Sequence, residues 1–453
     1  MNRNLHQSAK IIAVILLLTI SKLSLAQSNK GLEISPYLFG QNHWLADGDQ
    51  GRVGYLHNLW PKVQESGVTL VRIGGNGYER EFPSRTKLNA MVDAIKGIGA
   101  EPLLQLPRQF SELQTEELVK YYTRGNKRHI TYWSIGNEPM LHKEQTIEQV
   151  HGYLLRIANA MKEAAPDIKI MAFDEAWMRM PEYGDLIGGR LDITGLKKNG
   201  KWLFDGVTFH SYPNGAKFTR DDVVFTGPKK ILDQIQELKA LIKAANEKHQ
   251  RVGDAALSWA MTEFNVTYAN PNREVSGHGN PSFLAGQFTA EIFGYGMEYD
   301  AFTMNLWCIN EPDAVRTDFG YLGIPNDFYP RSSYYHMQMM SSSLKGDFLA
   351  SSDNQDYVKT IASTDKETVA IMVMNQHQTN DYKFSLGFNG TNSNAEKSLV
   401  INIPANLKKT FDGEIAAQST HVYVFTKKGK LQKKITYSLA NNLENAPPTI
   451  EEF

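Results

Sequence analysis

Residues 130–140 read Ile-Thr-Tyr-Trp-Ser-Ile-Gly-Asn-Glu-Pro-Met, and the fold follows from how that run is placed. β-Branched and aromatic residues fill its first half, Gly136 breaks it, and Asn137 and Glu138 stand immediately before Pro139. This is the pattern of a buried strand that ends in a polar edge. Pro139 cannot extend a ladder and biases Glu138 toward an extended backbone, which puts the carboxylate where strand gives way to loop. A lone strand-end glutamate is ordinarily just solvated. Glu263, in Met261-Thr262-Glu263-Phe264, ends a second such run 125 residues later and changes that reading.

Working outward, short β-rich runs alternate with longer amphipathic stretches, as repeated βα units around a parallel sheet do. The expected strands are Tyr37–Gln41, Leu70–Ile73, Pro102–Leu106, Thr131–Ile135, Ile168–Phe173, Gly206–Phe209, Ala260–Phe264 and Phe302–Trp307. Eight strands is the number that closes a (β/α)8 TIM barrel, an α/β fold assigned here to residues 27–344. Expected helices include Lys87–Gly99, Thr146–Ala164, Lys229–Lys248 and Pro281–Tyr295, with Leu, Ile and Met at helical spacing as core. Beyond Lys345 the period changes to two, with Asn, Gly and Asp turns, which predicts a C-terminal β-sandwich over 345–435. Residues 436–453 are polar and read as a loosely held tail.

Residues 1–26 pair Arg3 and Lys10 with an apolar run and a Ser24-Leu25-Ala26 end, the form of a secretory signal peptide. The expected location is therefore outside the cytoplasm, secreted or periplasmic, and the single cysteine, Cys308, suits a bacterial exported chain without disulfides. Removing the signal leaves 45 basic against 49 acidic residues, a net charge of about −4. With no basic run, neither nucleic acid nor a membrane surface is an expected partner.

In such a barrel the active site lies at the carboxyl ends of the strands, and these ends are rich in groups that handle sugars. They carry His43 and Trp44 after strand one, Arg72 in strand two, Asn137 and Glu138 after strand four, and Trp177 after strand five. His210 and Tyr212 end strand six, Glu263 strand seven and Trp307 strand eight. Cleaving a glycosidic bond needs one carboxyl group to protonate the leaving oxygen and another, ionised, to attack or to activate water. Glu138 and Glu263 can face each other across the mouth in those roles. Asp174 and Glu175 are expected to line a subsite or cap a loop, and Arg72, Arg108 and Arg179 suggest either a site for an anionic glycan or loop-ordering ion pairs. No histidine spacing predicts a metal, and no phosphate-binding motif predicts a cofactor.

Trp-Ser-Ile-Gly-Asn-Glu-Pro in strand four, Thr-Glu-Phe in strand seven and His-Ser-Tyr between them resemble glycoside hydrolase clan A, the retaining barrel glycosidases. The resemblance implies that Glu138 is the acid/base, Glu263 the nucleophile, and Asn137 a ligand of the substrate 2-hydroxyl. It further implies that Arg72 holds the nucleophile ionised, Tyr212 bonds it, His210 lies beside both carboxylates, and Trp307 forms a platform under the sugar ring. The substrate class so implied is a plant or algal polysaccharide or its oligosaccharides, such as a galactan (agar or carrageenan), xylan or arabinan. A non-catalytic glycan-binding protein on the same scaffold is the alternative.

Overall fold

The computed structural model describes residues 32–43, 59–125, 127–141, 145–269, 272–311, 319–323, 329–388, 399–405, 407 and 410–453. The expected signal segment and Trp44 lie outside these residues. No helix among the described residues is long and apolar enough to cross a membrane.

Eight parallel strands close a barrel: β1 (Phe39–His43), β2 (Leu70–Ile73), β3 (Glu101–Leu106), β4 (Tyr132–Ile135), β5 (Lys169–Glu175), β6 (Gly206–Ser211), β7 (Ser258–Phe264) and β8 (Thr303–Leu306). Each expected strand is present, shifted by no more than two residues at either end. Helices cover the outside where the apolar spacing placed them, including α1 (Arg85–Gly97), α2 (Glu112–Thr123), α3 (Ile147–Ala164), α4 (Gly227–His249) and α5 (Phe283–Glu298), and a further helix that the sequence reading did not name, α6 (Ser332–Ser343), precedes the sandwich. Ser111 and Thr146 open α2 and α3 with reciprocal capping boxes, satisfying N–H groups that the first turn leaves without partners.

The barrel interior is layered by the period of the strand. Leu70, Leu103, Met171 and Ala260 form a small apolar plug with Tyr37, Tyr132 and Phe302. Two residues further along β2, β3 and β7, the side chains that point inward again are Arg72, Gln105 and Thr262. An apolar floor therefore carries a buried polar layer directly beneath the mouth.

After α6 the chain forms two packed sheets. The larger has the order β9 (Asp347–Leu349), β10 (Val358–Thr364), β11 (Thr368–Asn375), β15 (Ser419–Thr426), β16 (Leu431–Ser438) and β17 (Thr449–Glu452), and the smaller the order β13 (Leu399–Ile403), β12 (Tyr382–Phe388) and β14 (Thr410–Ile415). One face of the larger sheet shares the barrel's apolar core, through Met372, Met374, Val422 and Tyr437. Polar bridges fix that contact. His336 of α6 reaches Thr420 Oγ1 at 2.8 Å, and the Gln287 amide of α5 donates to Asn375 and Ser419 carbonyls. The expectation of a loose tail over 436–453 is corrected: Thr449–Glu452 is an edge strand in register with Lys433–Thr436. Its side chains are all exposed, so an apolar pattern could not announce it, and backbone hydrogen bonds hold it.

Candidate active site

Arg72 organises the polar layer. Its side chain is fully buried, a state that only charge pairing makes tolerable. Nη1 donates to Glu263 Oε1 at 2.8 Å and to Asn42 Oδ1 at 3.1 Å, and Nη2 donates to Asp174 Oδ2 at 3.0 Å, Asn137 Oδ1 at 2.6 Å and Gln105 Oε1 at 3.1 Å. Five strands thus place their end residues on one planar cation, whose fork suits carboxylates and amides.

The two glutamates stand on this base. Glu263 Oε2 accepts the Tyr212 hydroxyl at 2.9 Å. Glu138 Oε1 lies 3.0 Å from His210 Nδ1, and Oε2 accepts the Asn76 amide at 2.9 Å. His210 Nδ1 is also 3.6 Å from Glu263 Oε2, so the imidazole stands between the carboxyl groups. One ligating atom from each of Glu138, His210 and Glu263 falls within 4.8 Å of the others. Among the described residues this is the trio that could hold a metal ion. Arg72, Asn76 and Tyr212 already satisfy these carboxyls from within, so the arrangement needs none.

The expected extended conformation at Glu138 is corrected. Its φ is +43°, held by a 2.7 Å bond from its N–H to the Asp174 carbonyl and by Leu141 N–H donating to its own carbonyl. These bonds outweigh the bias that Pro139 exerts on its neighbour. Gly136, at φ +77°, makes the preceding turn possible, because a Cβ there would also stand 2.9 Å from the Tyr153 hydroxyl.

Burial pushes the Glu263 carboxyl above the ordinary glutamate value, against the pull of His210 and Arg72. Burial acts on Glu138 in the same direction, but hydrogen bonding and charge from His210, with Asn76, carry it below that value. For His210 burial favours the neutral ring, and the flanking glutamates outweigh it and raise the pKa. The three groups are coupled, and the two carboxyl groups favour the charged form of the imidazole that stands between them.

Of the residues singled out from sequence, Arg72, Asn137, Glu138, His210, Tyr212 and Glu263 converge in this cluster. Trp307, only 8% exposed, immediately follows β8. Trp177, 47% exposed, stacks under the Arg179 guanidinium at 5.0 Å and leaves much of its ring open. His43 stands apart. It packs beside Trp60 at 6.0 Å between ring centroids, and burial lowers its pKa to about 4, the state of a neutral core imidazole.

Asp174 does not line a subsite, being fully buried against Arg72 and the Thr262 hydroxyl. Glu175 does cap a loop, accepting the Met140 and Ala176 N–H groups. The arginines are largely spoken for: Arg108 lies 3.7 Å from Glu79, and Arg179 is held by Trp177 and the Met140 carbonyl. Sequence reasoning missed the supporting roles of Asn76, Gln105 and Thr262. The signal was available for the last two, since each lies two residues past an apolar barrel-plug position.

No family model matches the chain, and no curated protein is significantly similar in sequence. The fold is nonetheless that of known structures. The family 51 α-L-arabinofuranosidase of Bifidobacterium longum superposes with a TM-score of 0.63 at 13% identity, over 88% of this chain and 97% of that one. The family 51 arabinofuranosidase of Xanthomonas axonopodis pv. citri gives 0.63 at 14% identity, covering 89% and 98%. The family 44 xyloglucanase of Paenibacillus polymyxa gives 0.59 at 12%, covering 86% and 96%.

Proposed function

We propose that this protein is an exported glycoside hydrolase that cleaves a neutral plant polysaccharide, or its oligosaccharides, by double displacement. Glu263 is the nucleophile and Glu138 the general acid/base. One observation carries the reading: the ligating oxygens of the two glutamates approach within 4.8 Å at the mouth of a barrel. Retaining glycosidases hold their carboxyl groups about 5–5.5 Å apart, whereas an inverting pair leaves about 6.5 Å or more for water.

The roles divide by environment. Glu263 has a guanidinium and a phenol donating to it, which oppose the rise that burial imposes and support its ionised, attacking form. Glu138 faces the His210 imidazole at 3.0 Å, whose charged form both glutamates favour. In this scheme the catalytic proton waits on His210 Nδ1, one hydrogen bond away from the oxygen that must deliver it. A glycosidic oxygen arriving at Glu138 draws the proton across, and Glu138 passes it to the departing sugar. Glu263 then holds the glycosyl group as an ester until water, deprotonated by Glu138, releases it. Asn137, fixed by Arg72, is positioned for the substrate 2-hydroxyl, and Trp307 and Trp177 offer ring faces to the sugar.

The internal partners of the mouth arginines weigh against an anionic glycan. The arabinofuranosidase and xyloglucanase likenesses support an arabinan, xylan or xyloglucan-type substrate. The test is hydrolysis of arabinan, xylan, xyloglucan, agar and carrageenan by the purified protein, with the anomer of the first product read by NMR. Azide added to Glu263→Ala should restore turnover and yield a glycosyl azide of inverted configuration. No hydrolysis of any glycan, or an inverted first product from the wild type, would sink the reading.

A further inference from the structure

Gln105 links Arg72 to a third glutamate, which the double displacement does not use. That residue, Glu79, sits on the short helix Asn76–Arg80 after β2 and is 9% exposed. Its Oε1 accepts the Gln105 amide Nε2 at 2.8 Å, and its Oε2 accepts the Arg108 backbone N–H at 3.1 Å. The Gln109 side-chain amide donates to its backbone carbonyl. The last two bonds staple the loop after β3. The first reaches toward the catalytic pair.

A terminal amide is oriented only by what meets its two ends. With Nε2 held by Glu79, Gln105 turns Oε1 the other way, where it accepts Arg72 Nη2 at 3.1 Å and the Gly75 N–H at 2.6 Å. Arg72 carries Glu263 on its other terminal nitrogen. Gly75 leads into Asn76, whose amide donates to Glu138 Oε2 at 2.9 Å and whose Oδ1 accepts Asn137 Nδ2 at 3.1 Å. One amide oxygen therefore braces the supports of both catalytic glutamates. Turned half a rotation, that amide would press its NH2 against a guanidinium and an N–H group, donors facing donors.

Glu79 faces Arg108, whose Nε lies 3.7 Å from Oε2, and feels the charge of Arg72; its own charge acts on the buried Tyr153 hydroxyl of α3. Burial pushes its carboxyl up to about 7, so keeping it charged is costly. A neutral glutamine in its place would accept one of the two N–H groups and turn its own NH2 toward the other. Only a carboxylate receives both.

We propose that Glu79 is a positioning residue, which acts through Gln105 to hold Arg72 under Glu263 and Asn76 against Glu138, a role that rests on the glycosidase reading of those two glutamates.

The test is Glu79→Gln in the full chain. The Arg108 N–H belongs to the backbone and stays, so the Gln105 side chain is the part that turns, displacing the guanidinium from Glu263. Hydrolysis of an aryl glycoside at neutral pH should lose about tenfold in kcat/KM. The acid limb of the kcat/KM profile should move up by about one pH unit, as should the carboxyl 13C titration of Glu263, assigned by its loss in Glu263→Gln. Removal of a negative charge acting through space would move both down, so the sign separates positioning from electrostatics. In a Gln105→Met background Glu79→Gln should cost roughly twofold or less, whereas a loop staple would cost the same in both backgrounds. Glu79→Asp, which keeps the charge and withdraws it from Gln105, should shift the titration in the same upward direction, and it decides the matter if Glu79→Gln does not fold. A Glu263 titration that stays or falls, or losses that simply add, overturns the proposal. A wild type that hydrolyses no glycan, with the Glu263 titration still moving up in the variants, would overturn the glycosidase reading and leave the positioning contact standing.

Discussion

Two ionic clusters stand at opposite ends of the same barrel and differ in how completely their charges are answered. At the amino end, Asp205 accepts from Lys162 Nζ and Lys169 Nζ, both at 3.0 Å, and from the Ile170 N–H. Lys162 also donates to the Ile168 carbonyl, and Lys169 is 43% exposed, so water shares the load. At the carboxyl end, Arg72 and His210 face three carboxyl groups, all nearly or fully buried, while His210 Nε2 has no hydrogen-bond partner. The first cluster is satisfied. The second leaves surplus negative charge and an unpartnered imidazole nitrogen in a low dielectric, which is what lets a group react.

Substitutions at the two ends should therefore separate activity from stability. Glu263→Gln should lower kcat by roughly 10^4-fold while the folded protein still binds glycan, as read by steady-state assay and calorimetry. Arg72→Met should cost roughly 10^3-fold in kcat/KM, and also lower the melting temperature, because Glu263 and Asp174 lose the cation between them. Asp205→Asn should do the reverse, destabilising by about 3 kcal/mol in urea unfolding, since Lys162 is 2% exposed, with kcat/KM unchanged. A fall in activity equal to that of Arg72→Met would erase the distinction between the ends.

A smaller effect comes from histidines unlike His210. Burial lowers His336 to about 4 and His421 to about 3, where the carboxylates raise His210. An unfolded chain binds protons at these positions below the ordinary value of 6.5, and the folded chain does not. Stability should thus fall as pH drops from about 6.5 toward 4, the folded state having the lower pKa. Melting temperatures measured from pH 7.5 to 4.5 check this, and replacing His421 with Phe should flatten the slope. A slope unchanged in that variant would mean that His421 is protonated in the fold.

Much of this was legible in the chain. Leu70–Ile73 and Tyr132–Ile135 are short β-branched or aromatic runs followed by breakers, and such runs carry their own evidence. Glu138, Glu263, Arg72, His210 and Tyr212 were legible because strand ends in a barrel must meet at its mouth. The edge strand Thr449–Glu452 was not, since its side chains are all exposed and carry no buried apolar face. Neither was the left-handed turn at Glu138, where the Asp174 carbonyl, 36 residues distant, overrides a local proline rule.

The amino-acid sequence alone determined the alternation of strand and helix, and with it which residues reach the mouth, because period and breakers act over a few neighbouring residues. Tertiary structure alone decided how those residues divide the work. Whether a carboxyl group meets a guanidinium, an imidazole or a backbone N–H depends on partners from distant strands, and those partners set its charge. Closure of the barrel brought Arg72 under Glu263 and His210 between the glutamates, turning two strand-end acids into a coupled pair.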